Sequence, residues 1–149
     1  MNTRYIHTNI VALDYRSLAD FYIAVFGCEE KPPHRDLSGS WLDEATDLSG
    51  AHIRGVHLLL PGHGSGGPTL EIFQYENGSD AGEKCANREG FAHIAFSVED
   101  VGDCIKRIYE NGGSLLGEMV TTEVEGSGTI TFAYARDPED NIVEIQSWG

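Results

Sequence analysis

The sequence predicts an α+β fold in which two paired βαβββ modules form a curved mixed sheet around a cleft. Three observations lead there. A strand–helix–strand–strand–strand order runs through residues 4–76 and again through residues 90–149 of a single 149-residue domain. A polar stretch from Asn77 to Gly90 separates the two rounds. Each round also opens a strand with a histidine and closes one with a glutamate: His7 and Glu71 in the first, His93 and Glu144 in the second.

The elements follow in order. Residues 6–13 read as a strand. After Asp14, Ser17 caps or opens a helix whose Leu18, Phe21, Tyr22, Val25 and Phe26 recur at helical spacing, and Gly27 ends it. The segment from Lys31 to Gly55 is mixed and polar, carries Pro32-Pro33, and is expected to be a mobile cover with a short helix at 41–48. Strands at 53–60 and 69–75 flank Pro61–Pro68, whose glycines and prolines are turn chemistry without the Lys-Ser/Thr of a phosphate loop. In the second round, a strand at 91–98 leads to a helix at 101–111, stopped by Asn111-Gly112-Gly113. Strands near 115–122, 129–135 and 141–147 complete it.

Alternation gives these strands two faces. Asn9 and Val11 share the face of His7, while Ile6, Thr8 and Ile10 oppose it. Ala95 and Ser97 go with His93, and Ile94 and Phe96 oppose it. Leu70 and Ile72 oppose Glu71, and Val143 and Ile145 oppose Glu144. All four strands therefore have an apolar back and a front that carries the His or Glu. An ionisable group inside an apolar strand needs a partner or a cation to offset its desolvation. Two imidazoles and two carboxylates, repeated in this way, make one candidate mixed N/O metal site. A lone strand histidine is more often a satisfied core or edge residue; the repetition is what points to chemistry. His34, His52, His57 and His63 fit no second cluster and are read as loop or edge residues.

Composition narrows the function classes. A formal charge of −14 with ten basic residues argues against a nucleic-acid partner, which needs clustered Lys and Arg. No run approaches the ~18 apolar residues of a membrane span. Cys28, Cys85 and Cys104 lack CxxC spacing, so neither a disulfide framework nor a thiolate zinc site is expected. A reducing, cytoplasmic setting is expected.

Taken together, Ile6-His7-Thr8, Ser17-Leu18-Ala19-Asp20-Phe21-Tyr22, Phe26-Gly27, Leu70-Glu71-Ile72, Phe91-Ala92-His93-Ile94-Ala95-Phe96 and Asp137-Pro138 with Asn141-Ile142-Val143-Glu144 resemble the vicinal oxygen chelate superfamily. That group includes glyoxalase I, methylmalonyl-CoA epimerase, fosfomycin- and bleomycin-resistance proteins and extradiol dioxygenases. The resemblance covers nearly the whole chain. It implies that His7, Glu71, His93 and Glu144 match the glyoxalase I metal ligands one by one. It further implies one divalent ion, Ni²⁺, Co²⁺, Zn²⁺, Mn²⁺ or Fe²⁺, and a homodimer. Glyoxalase I usually carries an Arg and an Asn for glutathione where this chain has Val11 and Tyr75, which points away from a glutathione adduct. Methylmalonyl-CoA epimerases usually have Gln where Glu71 stands.

A His₂Glu₂ set suits an octahedral first-row ion with positions left for substrate oxygens. Such an ion polarises a carbonyl, and a nearby carboxylate then moves the adjacent proton. The resemblance assigns that role first to Glu144, with Glu71 as its partner. The expected activity is lactoylglutathione-lyase-like or epimerase-like proton transfer on a small-molecule substrate. Two rivals are a small-molecule or antibiotic-binding resistance protein and an extradiol-type dioxygenase. Arg54 and Arg136 are read as solvated surface groups.

Overall fold

The computed structural model describes residues 2–149. The chain forms two compact units, one ending at Asp80 and the other beginning at Ala81.

The first unit runs β1 (His7–Val11), α1 (Tyr15–Phe26), β2 (Glu29–Ser38), α2 (Ser40–Thr46), β3 (His52–Leu59) and β4 (Thr69–Tyr75). Its sheet has the order β1-β4-β3-β2, with β1 parallel to β4 and the other neighbours antiparallel. Asp14, rather than Ser17, caps α1: its carboxylate accepts from the backbone N–H groups of Arg16 and Ser17. Gly27 ends the helix at φ 71°, the left-handed conformation that costs glycine nothing. The helix lies on β3 and β4 and buries Leu18, Phe21, Tyr22 and Val25 over Val56, Leu58, Leu70 and Ile72. Each such side chain contributes about 1.5–3 kcal/mol when fully buried. The sheet therefore has its dry face on the α1 side and its other face on the side of His7 and Glu71.

The expected mobile cover across 31–55 is corrected here. Residues 29–38 form the edge strand β2, antiparallel to β3. Its register breaks between Lys31 and Arg35, where Pro32 and Pro33 sit. An edge strand with a bulge tolerates prolines that a central strand would reject. The short helix does form, as α2, and its Leu42 packs with Ala51, Ile53, Leu37, Phe73 and Tyr75.

The second unit runs β5 (His93–Ser97), α3 (Val101–Glu110), β6 (Ser114–Leu115), β7 (Val120–Val124), β8 (Gly128–Arg136) and β9 (Ile142–Trp148). Its sheet has the order β5-β9-β8-β6, and β7 also pairs with β8. The expected single strand at 115–122 is split into β6 and β7, so this unit carries one more strand than the βαβββ pattern. Asp100 caps α3 by accepting from Asp103 N–H. Val101, Cys104 and Ile108 are buried on that helix, and Ala133, Ala135, Val143 and Ile145 are buried on β8 and β9, the strands it packs against. Asp137 is buried after β8, accepting from the backbone N–H groups of Glu139 and Asn141 and from the Asn141 amide. This ties the turn before β9 and sets where that strand begins.

Cys28 and Cys104 are buried and Cys85 is exposed, all three as free thiols. Among the described residues, no helix is long and apolar enough to cross a membrane.

Candidate functional site

In the first unit, His7 opens β1 and Glu71 stands in β4. Their parallel register pairs His7 with Thr69 and Asn9 with Glu71, so the two side chains meet on a diagonal. His7 Nε2 lies 2.7 Å from Glu71 Oε1. The second unit repeats the arrangement. His93 pairs with Ile142 and Ala95 with Glu144, and His93 Nε2 lies 3.1 Å from Glu144 Oε2. In both units the histidine is the more open partner, with side chains 43% and 32% exposed against 7% for Glu71 and 15% for Glu144. The structure thus brings each sequence-predicted His together with its Glu. Among the described residues, no three His, Cys, Asp or Glu side chains converge as a metal-binding group.

Each pair fits half of a metal's donor set. Two donors at right angles, each ~2.1 Å from an ion, are about 3 Å apart, as the two His–Glu separations are. The chemistry agrees: Glu71 is a carboxylate out of water, and burial raises its pKa against the pull of His7 and Arg35. A cation would relieve that cost.

The reading of His57 as a loop or edge histidine is overturned. It sits in β3, paired in register with Glu71, and its side chain is only 16% exposed. Its Nε2 is 3.6 Å from Glu71 Oε2, and its Nδ1 is 3.3 Å from Thr69 Oγ1. Its ring stands edge-on to His7 and to Phe73. Burial, with Arg35, His7 and Lys31 adding positive charge, lowers the His57 pKa to about 4, so the ring is neutral at neutral pH. Its approach to Glu71 is therefore not an ion pair. Its place follows from the register across the turn between β3 and β4: Leu59 pairs with Thr69, and two residues further along each strand His57 stands opposite Glu71.

Tyr134 was missed for the same reason. It lies in β8 opposite Glu144, with its ring 5.0 Å from that of His93 and 5.9 Å from that of Phe132. Lys31 and Arg35, from the expected cover, share the face of Glu71 and His57 by register. Gly55 makes room in that face: a Cβ there would lie 2.3 Å from Ile72 O and 2.5 Å from the Phe73 ring.

The remaining histidines serve the surface. His34 joins Glu30, which also pairs with Arg16, and His52 bridges Asp36 and Glu76. The carboxylates beside His52 raise its pKa. Arg54 reaches Asp36 at 3.7 Å and Arg136 reaches Asp140 at 4.0 Å, both as surface pairs.

No curated protein matches the chain. Solved structures do. A glyoxalase family protein from Bacillus cereus superposes with a TM-score of 0.76 at 18% identity, covering 99% of this chain and 94% of that one. A glyoxalase family protein from Enterococcus faecalis gives 0.59 at 18% identity, over 97% and 96% of the two chains. A glyoxalase/bleomycin resistance protein/dioxygenase family enzyme from Burkholderia phytofirmans gives 0.57 at 17% identity, over 96% and 97%. At these identities the likeness carries the fold. Residues 4–145 match the sequence profile of one family, and with the repeated βαβββ architecture this places the chain in the Glyoxalase/Bleomycin resistance protein/Dioxygenase superfamily.

Proposed function

We propose that this chain is a divalent-metal-dependent enzyme of the glyoxalase/epimerase kind, moving a proton beside the carbonyl of a small α-oxygenated substrate. The observation that carries this reading is the recurrence of one His–Glu diagonal, with the same register offset, in each of the two units. His7, Glu71, His93 and Glu144 are the proposed donors, and Ni²⁺, Co²⁺, Zn²⁺, Mn²⁺ or Fe²⁺ the candidate ions. When bound, such a cation supplies Lewis acidity that makes the C–H beside a carbonyl easier to ionise.

The chain's own groups do the rest. Glu144, the less buried glutamate, takes the proton as general base. Glu71, the more buried glutamate, is its partner in the transfer. Lys31 and Arg35 on the face of Glu71 favour a substrate bearing negative charge. The proposed assembly is a homodimer, to be read from its mass in solution.

The experiment is hydrogen–deuterium exchange at the α-carbon of small 2-hydroxy and 2-oxo carbonyl compounds, followed by proton NMR with each metal added. Metal-dependent exchange supports the reading. Oxygen consumption with Fe²⁺ would favour the dioxygenase instead. Tight binding of a small molecule without metal or turnover would favour the resistance-protein reading.

A further inference from the structure

We propose that His57 is a positioning residue, holding Glu71 in the orientation from which its carboxylate meets a cation; the inference rests on the metal-dependent reading above. The ring is anchored at its far nitrogen, where Nδ1 lies 3.3 Å from the hydroxyl of buried Thr69. Its Nε2 faces Glu71 Oε2 at 3.6 Å, beyond hydrogen-bond length, and a side-chain shift of about half an ångström closes the bond. An ionised carboxylate only accepts, so Nε2 carries the ring proton and Nδ1 accepts from the Thr69 hydroxyl.

Glu71's two oxygens are thereby made unequal. Oε1 faces His7, 2.7 Å away, and Oε2 faces His57. A neutral N–H on Oε2 occupies that oxygen without adding charge, leaving Oε1 as the donor beside His7. The two imidazoles stand nearly perpendicular, with centroids 6.2 Å apart, and each faces a different oxygen of the carboxylate. Outer groups of this kind fix a ligand's rotamer and tune its affinity for metal. Tyr134 occupies the corresponding place opposite Glu144, so a ring beside the glutamate belongs to both units.

The test is titration of the full chain with Co²⁺ alone, followed by d–d absorption and calorimetry, in wild type, His57→Leu, His57→Gln and Thr69→Val. A positioning role gives roughly 10–100-fold weaker Co²⁺ binding in His57→Leu. It gives recovery in His57→Gln, whose amide N–H reaches the same place, and an unchanged absorption band because the ligand atoms are the same. Equal affinity in wild type and His57→Leu overturns the proposal and leaves the metal reading intact. A loss that Gln does not recover, with a shifted band, also overturns it and makes His57 a ligand. If wild type binds neither Co²⁺ nor any of the other four ions, the metal reading itself falls and this proposal with it. If His57→Leu does not fold by circular dichroism, Thr69→Val decides: weaker binding supports the chain Thr69–His57–Glu71, and unchanged binding overturns it.

Discussion

His57 and Tyr134 occupy the same place in their two modules. Each stands on the strand before the last, paired in register with the glutamate, and each meets the strand-opening histidine at an angle, 6.2 Å and 5.0 Å between ring centroids. The internal repeat is thus a triplet of His, Glu and a ring. In both modules the ring comes from the strand on the opposite side of the glutamate's strand from β1 or β5.

Metal content is the first prediction. Protein purified without chelator or affinity tag should carry about one transition-metal ion per chain, and His93→Ala should lose it. Elemental analysis by mass spectrometry reads the outcome. No uptake after each ion is added in turn would move the assignment to a binding protein.

Glu144→Gln should lower proton transfer by roughly 10²–10⁴-fold, the usual worth of a positioned general base. Its fold should persist, since the substituted group is isosteric and retains some solvent access. Solvent-deuterium exchange measures the loss, and the far-ultraviolet circular dichroism spectrum should not change. Full activity would remove Glu144 from its role.

Gly55→Ala should destabilise the first module without touching a proposed donor. The new Cβ would meet Ile72 O and the Phe73 ring between two central strands, where backbone cannot move aside cheaply. Overpacking of this kind costs about 1–3 kcal/mol, visible as a fall of several degrees in thermal midpoint.

The pH dependence of the metal-free protein should separate wild type from His57→Gln. The folded state depresses the His57 pKa from 6.5 to about 4, so the neutral ring favours folding above pH 6.5. Between those values the unfolded chain takes up a proton that the folded chain refuses, and stability falls as pH drops. The effect is at most about 3 kcal/mol. Glu71 works in the opposite sense, because its raised pKa favours the folded state at low pH. From pH 7 to pH 4.5 the denaturant midpoint should therefore fall further in wild type than in His57→Gln, because every other titrating group is common to both and only the His57 contribution is removed.

Strands with an apolar face were legible in the sequence, and so was the pairing of each His with a Glu, because alternation fixes which side chains share a face. β2 was not legible. Glu29-Glu30-Lys31-Pro32-Pro33-His34-Arg35-Asp36 has no apolar alternation, and its strand conformation comes from hydrogen bonding to β3. The role of His57 was hidden because register lies between strands, not within one. It became visible only once β3 and β4 were paired across their turn. The break between β6 and β7 was missed likewise, since 115–122 reads as continuous while only parts of it find a partner on β8.

In each module the earliest strand lies beside the latest, β1 along β4 and β5 along β9. His7 and Glu71 stand near opposite ends of the module's sequence and meet only through this pairing, so the site rests on one of the module's most distant contacts. Whatever grips both residues closes the module's longest loop and fastens its beginning to its end. Occupancy then opposes global unfolding rather than fraying. A ligand at a hundredfold its Kd adds about 2.7 kcal/mol to the module as a whole, so its melting temperature becomes a gauge of free ligand.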